Sequence, residues 1–221
     1  MNRDRNFLFF AMIMIVLFFG SGATAFGVKI FDKMNSLEKE NKLTNEHNRE
    51  SNKEMILLKV ISEKMPNSKI ETQIQLSKTI YSLCSIKRIP ISLVCGLIEV
   101  ESTWDTNITS SANAKGLMQP LSSTARPYLR IEKIDYNSNI LYDPIVNVIV
   151  GISYLADLQA GHIEARKTKE DDFTFSLHSY FWGPDNTKTL YGLKDQKVNV
   201  PNLSYPLRVQ KAAKFYEEKG L

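Results

Sequence analysis

The sequence predicts a mostly α-helical protein, and three observations carry that expectation. Apolar residues recur at three- and four-residue spacing from Ile70 to Tyr216, Pro90, Pro144 and Gly161 stand at the ends of those runs, and no alternating run is long enough for a sheet. One small hairpin after Trp104 is the only β structure anticipated, and no internal repeat is present. With 221 residues, 43% of them hydrophobic, the chain can bury one sizeable core and carry appendages.

Residues 6–28 carry no charge and follow Arg3 and Arg5, with the densest apolar stretch from Phe7 to Phe19. Gly20, Ser21 and Gly22 interrupt it, and Ala23, Thr24 and Ala25 supply the small residues that a signal peptidase requires. Residues 1–25 therefore read as a cleaved export signal. They read equally as an uncleaved membrane anchor with its N-terminus inside, because the uncharged run reaches about Val28 and is long enough to span a bilayer. No cysteine follows the run to take a lipid. Residues 26–65 read as a polar stalk: Asn, Lys, Glu, Ser and Thr dominate from Asp32 to Lys53, Leu37 and Leu43 are the only aliphatic residues there, and no heptad pattern is sustained. The apolar cluster Met55–Leu58, with Val60 and Ile61, begins to pack before Pro66, and the folded domain is placed at residues 66–221.

Within that domain, Ile70, Ile74, Tyr81 and Cys84 recur at helical spacing, which predicts an amphipathic helix over about residues 68–87. Pro90 favours a helix start, and Ile91–Val100 is apolar almost all round, the pattern of a helix buried at the centre of a domain. Tyr142-Asp143-Pro144 introduces a third helix over about residues 145–159, with Gly161 as its expected stop. Residues 173–181 and 207–216 complete the helical set. Cys84 and Cys95 fall in the apolar helices and read as buried thiols, a disulfide between them staying open if the domain lies outside the cytoplasm. Neither has a histidine at metal-ligand spacing, which speaks against a zinc or iron site. A net charge of +4 favours an anionic partner and is too mild to point to nucleic acid.

Glu99 and Glu101 are the only charged side chains between Arg88 and Asp105, in a helix that otherwise reads as core. Burial raises a carboxyl pKa and lets a glutamate remain a proton donor near neutral pH; a buried glutamate also arises simply by pairing with a lysine. Residues two apart on a helix lie about 200° apart around its axis, so the two cannot act as a dyad in one cleft. Glu101, next to the helix end at Ser102-Thr103-Trp104, is the one placed to reach a cleft. His47, His162 and His178 are scattered, with no serine or cysteine motif to complete a nucleophilic triad.

Glu101-Ser102-Thr103-Trp104, Ser110 and Ala114-Lys115-Gly116-Leu117-Met118-Gln119 together resemble the signature of the soluble-type (SLT domain) lytic transglycosylases. Similarity continues through Thr124-Ala125-Arg126, Tyr142-Asp143-Pro144, Asn147, Gly151, Tyr154-Leu155, Tyr180 with Gly183-Pro184, and Tyr205 with Val209, covering about residues 68–218. The resemblance implies a lysozyme-like helical domain that needs no cofactor or metal and acts on peptidoglycan glycan strands. It implies that Glu101 is general acid and then base, cleaving the bond between N-acetylmuramic acid and N-acetylglucosamine to leave 1,6-anhydromuramic acid ends. It further implies that Ser102, Gly116, Met118, Gln119 and Tyr180 line the substrate cleft, with Tyr180 bonding near the acid.

Three positions depart from the family pattern. Asn113 stands where glycine is usual, a tolerable change because asparagine adopts positive φ readily. Pro120-Leu121-Ser122 replaces two apolar residues and a proline, and Phe181 replaces an asparagine after Tyr180. A water-using muramidase of the goose-type lysozyme kind shares the fold and stays open. So does a weakly active wall-docking component of an envelope-spanning or virion apparatus. In each reading the domain is exported, periplasmic or held at the inner membrane by the N-terminal segment. Reporter fusions at Lys53 test this: a periplasm-dependent reporter should be active there, and activity of a cytoplasm-only reporter would refute the topology.

Overall fold

A computed structural model of the chain describes residues 21–137, 139–166, 173–187 and 204–221, and within these the helical spacing becomes helices. The apolar segment from Phe7 to Phe19 lies outside the described residues, as do the side chains of His47 and His162. Helix α1 spans Ser21–Lys64. The chain divides after Asn52, and Lys53–Leu221 forms a compact unit of its own. Before that division the stalk residues are helical, and every described side chain is exposed. After it, Leu57, Val60, Ile61 and Met65 are buried, so the last turns of α1 belong to the core.

Helix α2, Ile70–Lys87, ends where Arg88 takes a left-handed conformation with φ 56°. Gln73 joins it to α1, its amide donating to the Met65 carbonyl at 2.9 Å and accepting from the Ser62 hydroxyl at 2.8 Å. Helix α3, Ile91–Ser102, starts after Pro90 and buries all of Leu93 to Ile98. Helix α4, Ser122–Ile131, went unanticipated. It is short, contains Pro127, and buries only Ala125 and Leu129, one turn apart, against Leu141 and Val150. Helix α5, Pro144–Arg166, runs through Gly161 instead of stopping there. Gly161 is exposed and a Cβ there would meet nothing within 4 Å, so neither packing nor a turn employs the glycine. The Pro144–Gly161 stretch is long and apolar enough to cross a membrane, yet Val148, Ile152 and Leu155 place it in the domain core. Helices α6, Thr174–Trp182, and α7, Ser204–Glu218, close the domain.

The expected hairpin reduces, among the described residues, to one antiparallel bridge between Thr109 and Lys115. Its turn is closed by Ser110 and Asn113, whose amide donates to the Ser110 carbonyl at 2.9 Å, and Asn113 has φ 65°. Cys84 and Cys95 are free thiols in the core; burial pushes Cys84 up to about 12 and Cys95 well above its ordinary value.

The tightest helix contact is α3 against α7. A Cβ on Gly96 would lie 2.6 Å from the Ala213 nitrogen and 2.7 Å from the Val209 oxygen, both backbone atoms that cannot swing aside. Gly96→Ala should therefore destabilise the domain by about 1–3 kcal/mol in urea denaturation, despite alanine's better helix propensity. An unchanged or raised midpoint would show that the two helices separate without loss.

Candidate active site

The central helix α3 carries both glutamates in its last turns, and the structure sends them to opposite fates. Glu99 meets three donors. Lys64 Nζ lies 2.8 Å from Oε2 and donates to Oε1 at 3.0 Å, Trp104 Nε1 donates to Oε2 at 2.9 Å, and the Tyr216 hydroxyl donates to Oε2 at 2.6 Å. Burial pushes the Glu99 carboxyl up, but Lys64, Tyr216 and Trp104 outweigh it and hold it below the usual carboxylate value. Glu99 is thus a paired, structural charge.

Among the described residues, Glu101 meets a single hydroxyl. Tyr205, from the first turn of α7, donates to Glu101 Oε1. Burial raises the Glu101 carboxyl above its ordinary value, against the opposing pull of the Tyr205 hydrogen bond and the Arg208 charge. Burial and the neighbouring Glu101 charge push the Tyr205 phenol well up, so it remains a donor. A carboxyl in this setting keeps its proton to higher pH and can deliver it. Beyond Glu101 the chain turns through two left-handed residues, Thr103 at φ 48° and Trp104 at φ 66°. Such a conformation costs a non-glycine residue about 1–2 kcal/mol; here the buried Trp104 ring is fixed by Glu99 and by edge contact with Tyr216, 6.3 Å between centroids.

The segment from Lys115 to Gln119 is shaped by Asn147. This fully buried amide accepts from the Met118 N–H at 2.7 Å and donates to the carbonyls of Lys115 at 2.8 Å and Leu141 at 2.6 Å. Gly116, at φ 76°, sits so close to Asn147 and the Leu141 carbonyl that any Cβ would collide with them. The Met118 side chain points into the core: it is fully buried, and a Cβ on Gly151 would lie 2.5 Å from its sulfur. Its backbone carbonyl accepts from Tyr180 Oη at 2.8 Å, so Tyr180 ties α6 to this segment, while the bond to the acid is made by Tyr205. Ser102 likewise turns inward, its hydroxyl donating to the Ile98 carbonyl at 3.2 Å. Gln119, half-buried at φ 50°, donates its amide to the carbonyls of Gly116 at 2.8 Å and Ile108 at 3.2 Å. Of the residues singled out from the sequence, Glu101 and Tyr180 converge with Tyr205, and Gly116, Met118 and Gln119 build the wall beside them.

Tyr205 and Asn147 fall in the motifs of the sequence without a role assigned to them. A tyrosine and an asparagine carry no chemical signal until the fold shows what they touch. Arg208 is exposed, yet its charge acts on Glu101. Phe181 is 48% exposed and stacks on Tyr205 with centroids 4.6 Å apart and planes 23° from parallel.

Residues 80–197, more than half of the chain, match the transglycosylase SLT domain. The chain belongs to the SLT transglycosylase family. Membrane-bound lytic murein transglycosylase C of Histophilus somni (strain 2336) is 26% identical over 122 residues, which cover 53% of this chain and 34% of that protein. The enzyme of the same description from Edwardsiella ictaluri is 26% identical over 125 residues, 55% of this chain and 35% of that one. The soluble lytic murein transglycosylase of Escherichia coli K12 is 29% identical over 116 residues, 52% of this chain and 17% of that protein. The SLT chain described here thus spans about a third or less of the length of these relatives. Its domain is mostly α and lysozyme-like, as the family resemblance implied.

The two glutamates give stability opposite pH dependences. Folded Glu101 titrates above its ordinary value of 4.5, so between the two values the folded state holds more protons and stability falls as pH rises. Folded Glu99 titrates below that value, so its contribution is present above it and lost as pH falls through the folded pKa. In urea denaturation, Glu101→Gln should therefore gain on the parent as pH rises above the ordinary carboxyl value of 4.5. Glu99→Gln should lose about 1–2 kcal/mol near pH 7 and less near pH 3, discounted because Glu99 is partly exposed. The same pH trend in both variants would contradict these environments.

Proposed function

We propose that the domain is a peptidoglycan lytic transglycosylase in which Glu101 is the acid and then the base. The observation that carries this reading is the Glu101 carboxyl itself: half-buried at the end of α3, raised above its ordinary value by burial, and, among the described residues, bonded by Tyr205 at Oε1. Family membership and relatives named as murein transglycosylases support the substrate class.

In the first step Glu101 protonates the oxygen linking muramic acid C1 to N-acetylglucosamine. The C1–O bond breaks as the muramic acid acetamido oxygen closes on C1, and N-acetylglucosamine leaves with the proton. Glu101, now a carboxylate, is held by Tyr205 and the Arg208 charge. It takes the proton of the muramic acid 6-hydroxyl as that oxygen attacks C1 and displaces the acetamido group. The product is a 1,6-anhydro end, no water is consumed, and the acid is regenerated. Gly116, Met118 and Gln119 would shape the cleft through their backbone, and Tyr180 would hold that backbone to α6. This chemistry requires the domain to work outside the cytoplasm, which accords with the uncharged N-terminal run, cleaved or retained as an anchor.

The test is digestion of purified peptidoglycan with mass analysis of the muramic acid ends. Anhydro ends are expected, and reducing ends throughout would establish a water-using muramidase. Glu101→Gln should lose about 10²- to 10⁴-fold in rate or more, since one group performs both proton transfers. Glu99→Gln, compared with a variant of matching circular dichroism, should stay within about tenfold. Equal losses in the two variants would overturn the assignment of the acid.

A further inference from the structure

Phe181 leaves about half of a large apolar side chain exposed beside Tyr205. It follows Tyr180 near the end of α6, and that end is pinned because the Tyr180 hydroxyl donates to the Met118 carbonyl at 2.8 Å. One face of the Phe181 ring stacks on Tyr205, whose hydroxyl donates to Glu101. The ring is nevertheless 48% exposed, and Trp182, half-buried, continues the aromatic surface with its centroid 6.4 Å away. The stack on Tyr205, which itself bonds Glu101, therefore sets the orientation and position of the ring relative to that carboxyl.

We propose that Phe181 is a sugar-contacting, specificity-determining residue, its exposed ring forming the platform on which one N-acetylhexosamine of the glycan strand rests beside Glu101. A pyranose presents a flat face of C–H groups between its equatorial hydroxyls. Covering an exposed aromatic ring with that face removes apolar area from water while the hydroxyls stay solvated at the edges. Because Tyr205 holds the ring in advance, little side-chain freedom remains to be lost on binding. An aliphatic side chain at this position would offer bulk without a plane. The contact is made to the resting sugar and carries no charge, so it acts on binding more than on the chemical step. The inference rests on the reading of Glu101 as the acid, because that places the reacting sugar at this ring.

The test separates binding from turnover in the full chain. The probe is glycan strands freed of their peptide stems. In a Glu101→Gln background, Phe181→Ala and Phe181→Leu should each weaken strand binding about tenfold, and Phe181→Tyr should stay within about threefold of the parent background. In the active chain, Phe181→Ala should raise KM about tenfold, leave kcat within about threefold and leave the pH profile unmoved. Unchanged affinity and KM would overturn the proposal. So would a fall in kcat with a displaced pH profile and unaltered KM, which would make Phe181 a positioning residue acting through Tyr205. Strands that bind in a Phe181-dependent way to a chain that cleaves nothing would refute the reaction and uphold the platform. A chain that neither binds nor cleaves would refute both.

Discussion

The close approach of α3 and α7 at Gly96 is the contact on which the rest of the site depends. Tyr205 and Tyr216 are eleven residues apart on α7, close to three helical turns, so they project from nearly the same face about 16 Å apart. The contact at Val209 and Ala213 lies between them. Glu99 and Glu101 are two apart on α3 and point to opposite sides of it. One helix laid across another thus delivers a tyrosine to each side, Tyr216 to Glu99 and Tyr205 to Glu101. Spacing the helices by one methyl group would withdraw both hydroxyls together.

Two carboxylates in one helix turn, each beside a tyrosine, come out with opposite tendencies because of what else is present. Glu99 also has an ammonium and an indole N–H, which together stabilise the anion more than burial penalises it. Among the described residues Glu101 has one phenol and the Arg208 charge, and burial prevails. Charge environment, and not residue type or helix position, separates the glutamate held as a paired anion from the one that keeps its proton to higher pH. The left-handed pair Thr103 and Trp104 connects the two environments: it folds the chain back so that the Trp104 indole reaches Glu99 and leaves the last turn of α3 ending beside Glu101.

Much of this was legible in the sequence, for reasons that can be named. Strong helical periodicity located α2, α3, α6 and α7, and charge-free flanks marked the glutamates. The 200° separation showed that they could not share a cleft. Helix α4 was missed because Pro127 and a two-residue buried face, Ala125 and Leu129, hide a helix that tertiary contacts with Leu141 and Val150 complete. Gly161 was read as a stop, but a glycine on an exposed helix face costs only about 1 kcal/mol and the helix runs on. The inward turn of Met118 and Ser102 was not legible at all: a motif shows which residues recur together, and does not show whether the side chain or the backbone performs the task. The wall beside Glu101 is largely backbone, held by side chains from elsewhere.

Asn147 holds that wall through three bonds of two kinds, receiving one hydrogen and giving two. Only a carboxamide offers both in so small a volume; aspartate has the same shape and no hydrogens to give. Hydrolysis of this one amide, the slow ageing to which asparagine is prone, would turn an oxygen toward the carbonyls of Lys115 and Leu141 and repel what it had held. How long the Lys115–Gln119 segment keeps this shape is then set by a chemical clock. Complete burial, and a following N–H committed to the regular helix α5, are what slow it.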